Sequence, residues 1–183
     1  MKITETPLAG LLIIEPRVFS DHRGFFFESY NLKQFAENGI LANFVQDNHS
    51  RSAKSTVRGL HYQVNPGQDK LVRVIAGEIF DVAVDIRRNS PTFGQWYGCM
   101  LTSENKKQLY VPIGFAHGFC VTSENAEVIY KCTDFYSPKD ERGIAWNDSA
   151  IGIKWPVKTP ILSAKDKQHP RLAVVPPDSL FML

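Results

Sequence analysis

The sequence has no long hydrophobic run, no excess of charge of either sign, no paired cysteines and no internal repeat. Its longest apolar run near the N-terminus, Leu8 to Ile14, is broken by Gly10 and ends at Glu15-Pro16. That is too short for an ordinary signal segment, and a membrane-spanning helix needs about 20 apolar residues. The formal charge is +2 at pH 7, so no overall field draws the chain to nucleic acid or to an anionic membrane. The cysteines Cys99, Cys120 and Cys132 are odd in number and lack CxxC spacing, which argues against a disulfide framework and against a thiolate metal site. These absences favour a cytoplasmic protein, and a chain of 183 residues fits one domain, 1–183.

Helical periodicity is scarce as well. One short helix is expected where Asn31 can cap a turn that places Leu32, Phe35 and Ala36 on one face, ended by Asn38-Gly39. Leu11 to Ile14 reads as a buried strand stopped by Pro16, and Gly24 to Tyr30 as an aromatic-rich strand after the turn Ser20 to Gly24. From Lys70 onward strands repeat: Leu71–Ala76, Glu78–Ile86, Gly94–Leu101, Gln108–Val111, His117–Thr122 and Glu127–Thr133. Turn residues such as Ala76-Gly77 and Asn89-Ser90-Pro91 separate them. In Phe80 to Ile86 large apolar residues alternate with Asp or Ala, the pattern of a strand with one buried face. Evenly spaced short strands favour an antiparallel sandwich or barrel, and a doubly wound fold would need helices that are not there. Prolines at 138, 156, 160, 170, 176 and 177 limit the last third to loops and short elements wrapping that barrel.

Candidate chemistry gathers at Arg58-Gly59-Leu60-His61-Tyr62-Gln63. On a regular strand Arg58, Leu60 and Tyr62 would face one way and Gly59, His61 and Gln63 the other. His61 can exchange a proton near neutral pH, but a single histidine does not make a site. Two further patterns resemble cupin motifs: Pro112-Ile113-Gly114-Phe115-Ala116-His117 matches PxGxxH, and Lys70 precedes Gly77 where cupins carry Glu-x6-Gly. The resemblance implies an all-β, cupin-type double-stranded β-helix, or jelly roll, with a few short peripheral helices. At the places where cupins hold a metal, this chain has His61, Lys70 and His117. An ammonium repels a divalent cation and attracts an oxyanion. The histidines are then either core residues or parts of a metal-free site.

Over nearly its whole length the chain resembles the dTDP-4-dehydrorhamnose 3,5-epimerase family. The matching stretches include Asp21 to Glu28, Phe44 to Asn48, Arg58 to Gln63, Lys70 to Val74, Pro112 to Gly118, Tyr130 to Thr133, Gly143 to Asp148 and Leu162 to Asp166; Ala173 to Leu183 matches least. The resemblance implies epimerisation of dTDP-4-dehydro-6-deoxy-D-glucose at C3 and C5, giving dTDP-4-dehydro-L-rhamnose, without metal or cofactor. A ketone at C4 acidifies both neighbouring C–H bonds, so a base, an acid on the opposite face and a cation at the enolate oxygen suffice. By resemblance His61 is the base and Asp166 its partner, Tyr130 the acid and Lys70 the enolate stabiliser. Arg23, Arg58, Gln46 and Asn48 would hold the nucleotide diphosphate, with Glu28, Phe19 and Phe26 around the thymine. His117, Glu141 and Lys165 also match family positions. A homodimer in which N-terminal strands extend the partner's sheet is implied too. The alternatives are a one-centre epimerase, a non-catalytic sugar-nucleotide-binding cupin and a metal-dependent oxygenase.

Overall fold

The computed structural model describes residues 1–182. One antiparallel sheet has the order β1 (Lys2–Glu5), β2 (Leu12–Glu15), β10 (Gln108–Val111), β7 (Lys70–Ala76), β12 (Asn125–Cys132) and β5 (Gln46–Ala53). The second has the order β13 (Glu141–Gly143), β6 (Val57–Gln63), β11 (Phe115–Val121), β8 (Glu78–Asp85) and β9 (Trp96–Thr102). Neighbours within each sheet are mostly distant in sequence, as in the cupin-type double-stranded β-helix that the motifs imply. A separate hairpin pairs β3 (Phe19–Asp21) with β4 (Gly24–Phe26).

The sheets close on a layer of alternate inward side chains. Val72 and Val74, Leu109 and Val111, and Val128 from one sheet meet Ile79, Ala83, Leu101, Phe115 and Phe119 from the other. Burial of each large apolar side chain is worth about 1.5–3 kcal/mol, so this layer outweighs any local helical preference. The one α-helix among the described residues, α1 (Leu32–Glu37), is six residues long, too short to persist unsupported. Asn31 caps it as expected, accepting from the Gln34 amide at 3.2 Å. Only Phe35 of the expected apolar face is buried, whereas Leu32 is exposed; a helix this short is held by a single side chain on the outer face of the sheet, beside Ile14 and Leu71.

Three strand expectations need correction. The aromatic strand extends only from Gly24 to Phe26, and Phe25 and Phe26 are exposed, because the hairpin lies on neither large sheet. Strand β8 is buried on both faces. Phe80, Val82, Val84 and Ile86 pack with Ile144, Ile151, Leu172 and Val175 of the wrapping C-terminal third, while Asp81 and Asp85 point inward without solvent exposure. Its acidic residues therefore mark internal polar contacts, not a wet surface. Finally, β5 has no counterpart in the sequence reading. Its alternation is polar on both faces, since its inward residues line a cavity and not the apolar core.

The irregularity that builds the site lies in β6. Its register with β11 pairs His61 with His117 and Arg58 with Phe119, so three steps on β6 match two on β11. One extra residue reverses the alternation. Arg58 and His61, expected on opposite faces, line the same cavity. Gly59 and Gly118 permit the crossing: an added Cβ on Gly59 would lie 2.6 Å from Gly118 Cα, and one on Gly118 would lie 2.6 Å from the Arg58 carbonyl oxygen. Gly59 also has φ +123°, where only glycine is comfortable.

Candidate active site

The cavity sits between the sheets at one end of the barrel and has two lobes, both lined by His61, Lys70 and Tyr130. Neighbouring strands supply one wall in register. Tyr130 of β12 lies opposite Asn48 of β5 and Val72 of β7, and Cys132 opposite Gln46 and Lys70. Because side chains alternate, Gln46, Asn48, Tyr130, Cys132 and Lys70 all project inward. The facing wall comes from β6 and β11 and carries Arg58, His61 and His117. Tyr130 and His61 thus enter the cavity from opposite sheets.

His61 Nε2 lies 2.5 Å from Asp166 Oδ1. Asp166 comes from the C-terminal wrap, where Ser163 fixes it twice: the Ser163 hydroxyl accepts from the Asp166 amide at 3.0 Å and donates to Oδ2 at 2.8 Å. Burial alone would raise the Asp166 carboxyl, but the neighbouring His169, His61 and Ser163 win and hold it well below the usual carboxylate range. It is therefore an anion able to fix the imidazole and stabilise an imidazolium. His169 Nε2 lies 3.5 Å from the same Oδ1.

Lys70 is held by the strand pairing, with Nζ donating to the His61 carbonyl at 3.4 Å. Burial lowers its pKa against the opposing pull of Cys132, Glu141 and Asp81, which readies the ammonium to gain from any new negative charge. Tyr130 is pushed upward, first by burial and then by Cys132, with Arg58 acting the other way. It keeps its proton at neutral pH and is available as an acid. Arg58 Nε donates to Ser52 Oγ at 2.9 Å. Gln46 donates to Asn48 Oδ1 at 3.0 Å, and Asn48 to Cys132 Sγ at 3.6 Å. Glu141 accepts from Tyr136 at 2.5 Å and from Lys165. These two donors overcome burial and keep its carboxyl below its ordinary value.

His117 lines the lobe beside Arg58, but its Nε2 is committed to Asp81 Oδ1 at 2.8 Å. Four of the expected site residues lie apart from this group. Phe19, Arg23 and Phe26 line a cavity on the β3–β4 hairpin, where Arg23 pairs with Asp21 at 2.6 Å. Glu28 accepts from Asn31 at 3.1 Å and Gln34 at 2.7 Å beside α1.

Several residues at the site were given no role by the sequence reading. Tyr136 lies over the lobe near Glu141, with its amide donating to Gln46 Oε1 at 2.9 Å. Gln63 braces the same loop, donating to the carbonyls of Pro66 and Phe135 and accepting from the Ser137 amide. His169 was missed because three residues of separation from Asp166 says nothing without the turn that brings them together. For Tyr136 the only signal was the adjacent Ser137-Pro138 turn.

His61, Asp166 and His169 offer ligand atoms within 4.8 Å of one another. The 2.5 Å between His61 Nε2 and Asp166 Oδ1 is a hydrogen-bond distance. Ligand atoms around a tetrahedral ion held at about 2.0–2.1 Å stand roughly 3.3 Å apart. The arrangement fits a proton-holding pair and not a metal cage.

Residues 5–174 match the family model described as dTDP-4-dehydrorhamnose 3,5-epimerase. The chain belongs to this family. The dTDP-4-dehydrorhamnose 3,5-epimerase of Shigella flexneri is 58% identical over 168 residues, covering 91% of this chain and 93% of the relative. The enzyme of the same name from Pseudomonas aeruginosa is 58% identical over 170 residues, covering 92% and 94%. Among solved structures, the dTDP-6-deoxy-D-glucose-3,5-epimerase of Legionella pneumophila in complex with dTDP-4-keto-L-rhamnose superposes with a TM-score of 0.97 at 49% identity, covering 100% of this chain and 98% of that one.

Proposed function

We propose that this member of the epimerase family inverts C3 and C5 of dTDP-4-dehydro-6-deoxy-D-glucose to give dTDP-4-dehydro-L-rhamnose, in dTDP-L-rhamnose biosynthesis. The observation that carries the mechanism is the position of His61 and Tyr130 on opposite sheets of one cavity, with Lys70 lining both lobes between them. His61, steadied by Asp166, removes the proton next to the C4 ketone. Lys70 stabilises the enolate oxygen, and Tyr130 returns a proton to the other face. The hydrogen removed becomes the imidazolium proton and the Tyr130 hydroxyl supplies the new one, so each inversion is redox-neutral. Positioned acids and bases of this kind are each worth about 10²- to 10⁴-fold.

Arg58 is the diphosphate cation, with the amides of Gln46 and Asn48 beside the sugar or ribose. Glu141, tied to Lys165, orders Tyr136 at the mouth, and His117 supports the cavity floor. The exposed hairpin carrying Phe19, Arg23 and Phe26, together with Glu28, serves a homodimer in which it completes the partner subunit's nucleotide pocket. That arrangement accounts for an arginine and two aromatics that have no place at the site of their own chain. Among the described residues no helix is long and apolar enough to cross a membrane, and a cytoplasmic location accords with free cysteines at 99, 120 and 132.

Turnover in deuterated water tests the reading. Deuterium at both C3 and C5 is expected. Label at one centre would make the protein a one-centre epimerase, and none would leave a sugar-nucleotide-binding cupin.

A further inference from the structure

Asp166 faces two imidazoles. Its Oδ1 lies 2.5 Å from His61 Nε2 and 3.5 Å from His169 Nε2, and the two rings stand edge to face with centroids 5.5 Å apart. The His169 side chain is only 10% exposed, and its buried Nε2 makes no hydrogen bond, so that the 3.5 Å approach to Asp166 is an electrostatic contact. The ring is wedged against β13, where a Cβ added to Gly143 would fall 2.4 Å from it. A nitrogen placed there by packing has one polar neighbour to answer to, the Asp166 carboxylate.

The surrounding charges are otherwise engaged. On β13, Glu141 is tied to Lys165 and Tyr136, and Arg142 donates to the carbonyls of Lys139 and Glu141. On β6 the facing group is His61 itself, and Lys70 reaches the His61 carbonyl. One carboxylate serving two imidazoles makes their protonation a shared event: the first proton gained on acidification belongs to the cluster, and a second meets like-charge repulsion.

We propose that His169 is a positioning residue that shares Asp166 with His61 and accepts the proton that would otherwise silence the base as the solution becomes acidic. The proposal rests on the reading of His61 as the base. Without His169, the carboxylate would serve His61 alone, and His61 would be protonated at higher pH.

The test compares wild type with His169→Phe, which keeps a ring against Gly143, and His169→Gln, which keeps a donor but cannot carry charge. In both variants the acid limb of kcat/KM is expected to move to higher pH by about one unit, the size of a like-charge interaction near 5.5 Å at intermediate dielectric. Imidazole 15N NMR on the same proteins is expected to show His61 titrating in two steps in wild type and in one step, at higher pH, in each variant. An unchanged His61 titration in a variant with a folded spectrum overturns the proposal, as does a lowered plateau with an unmoved limb, the result of simple packing. If the NMR coupling is present but the limb ignores it, His61 is not the base. The proposed mechanism then fails, and this role for His169 fails with it.

Discussion

His61 and His117 stand opposite one another in the β6–β11 register, and each has an aspartate at Nε2, Asp166 at 2.5 Å and Asp81 at 2.8 Å. The pairs differ in access. The His61 side chain is 30% exposed and opens into both lobes, whereas His117 is 9% exposed and Asp81 entirely buried. They also differ in origin: Asp81 comes from the adjacent strand β8, while Asp166 arrives from the C-terminal wrap, 105 residues from its histidine. The same two residue types therefore make a sheet-internal brace in one place and, in the proposed mechanism, a base within reach of an incoming C–H bond in the other. Composition does not distinguish them; solvent access and the source of the carboxylate do.

Substitution of the two histidines is the strongest test of that contrast. His61→Ala is expected to lower kcat by about 10²- to 10⁴-fold while nucleotide binding persists, as measured by steady-state kinetics and calorimetric titration with dTDP. His117→Phe should instead strand the buried Asp81 charge and cost about 3–5 kcal/mol of stability, seen as a lowered denaturant midpoint. If His117→Phe lost turnover at unchanged stability, the two pairs would be equivalent and the contrast would collapse.

Tyr130→Phe sharpens the division between the cavity walls. It should leave removal of the substrate proton largely intact but impair its return to the opposite face, by about 10²-fold or more. Deuterium exchange that outpaces inversion is the expected signature. Arg58→Ala should act mainly on KM, by roughly 10- to 150-fold, the scale of one charge-assisted hydrogen bond of about 1.5–3 kcal/mol.

The smallest effect concerns acid stability. Asp166 is depressed in the fold, so it contributes stability above the unfolded carboxyl value, about 3.9, and that contribution is lost as the pH falls through its lower folded value. Asp166→Asn should therefore flatten the stability profile below about pH 4 in denaturant titrations at successive pH values. An unchanged slope would mean that Asp166 is not held as an anion in the way described.

The fold was largely legible, because β7, β8, β10, β11 and β12 carry apolar residues at the spacing of a pleated strand. The strand β5 was not: Gln46, Asn48 and Ser50 face a cavity and Ser52 is buried against Arg58, which demands polar side chains where a core strand shows hydrophobic ones. Lys70 and His61 were legible through their places in the cupin and epimerase motifs. The facing of Arg58 was misread because the count along β6 assumed strict alternation, which one bulged residue undoes.

By itself, the order of residues determined an antiparallel barrel and the capped helix at Asn31, and by resemblance it set Lys70 where a metal-binding cupin has a carboxylate. Local pattern reports local structure, and each of these is written within a few adjacent positions. Only the tertiary structure decided that Arg58 and His61 share a wall, that Asp166 and not Asp81 serves the open histidine, and that His169 meets the same carboxylate. Those outcomes depend on a register shift between two strands and on where a proline-rich tail comes to rest, and both are set by packing between segments far apart in the chain.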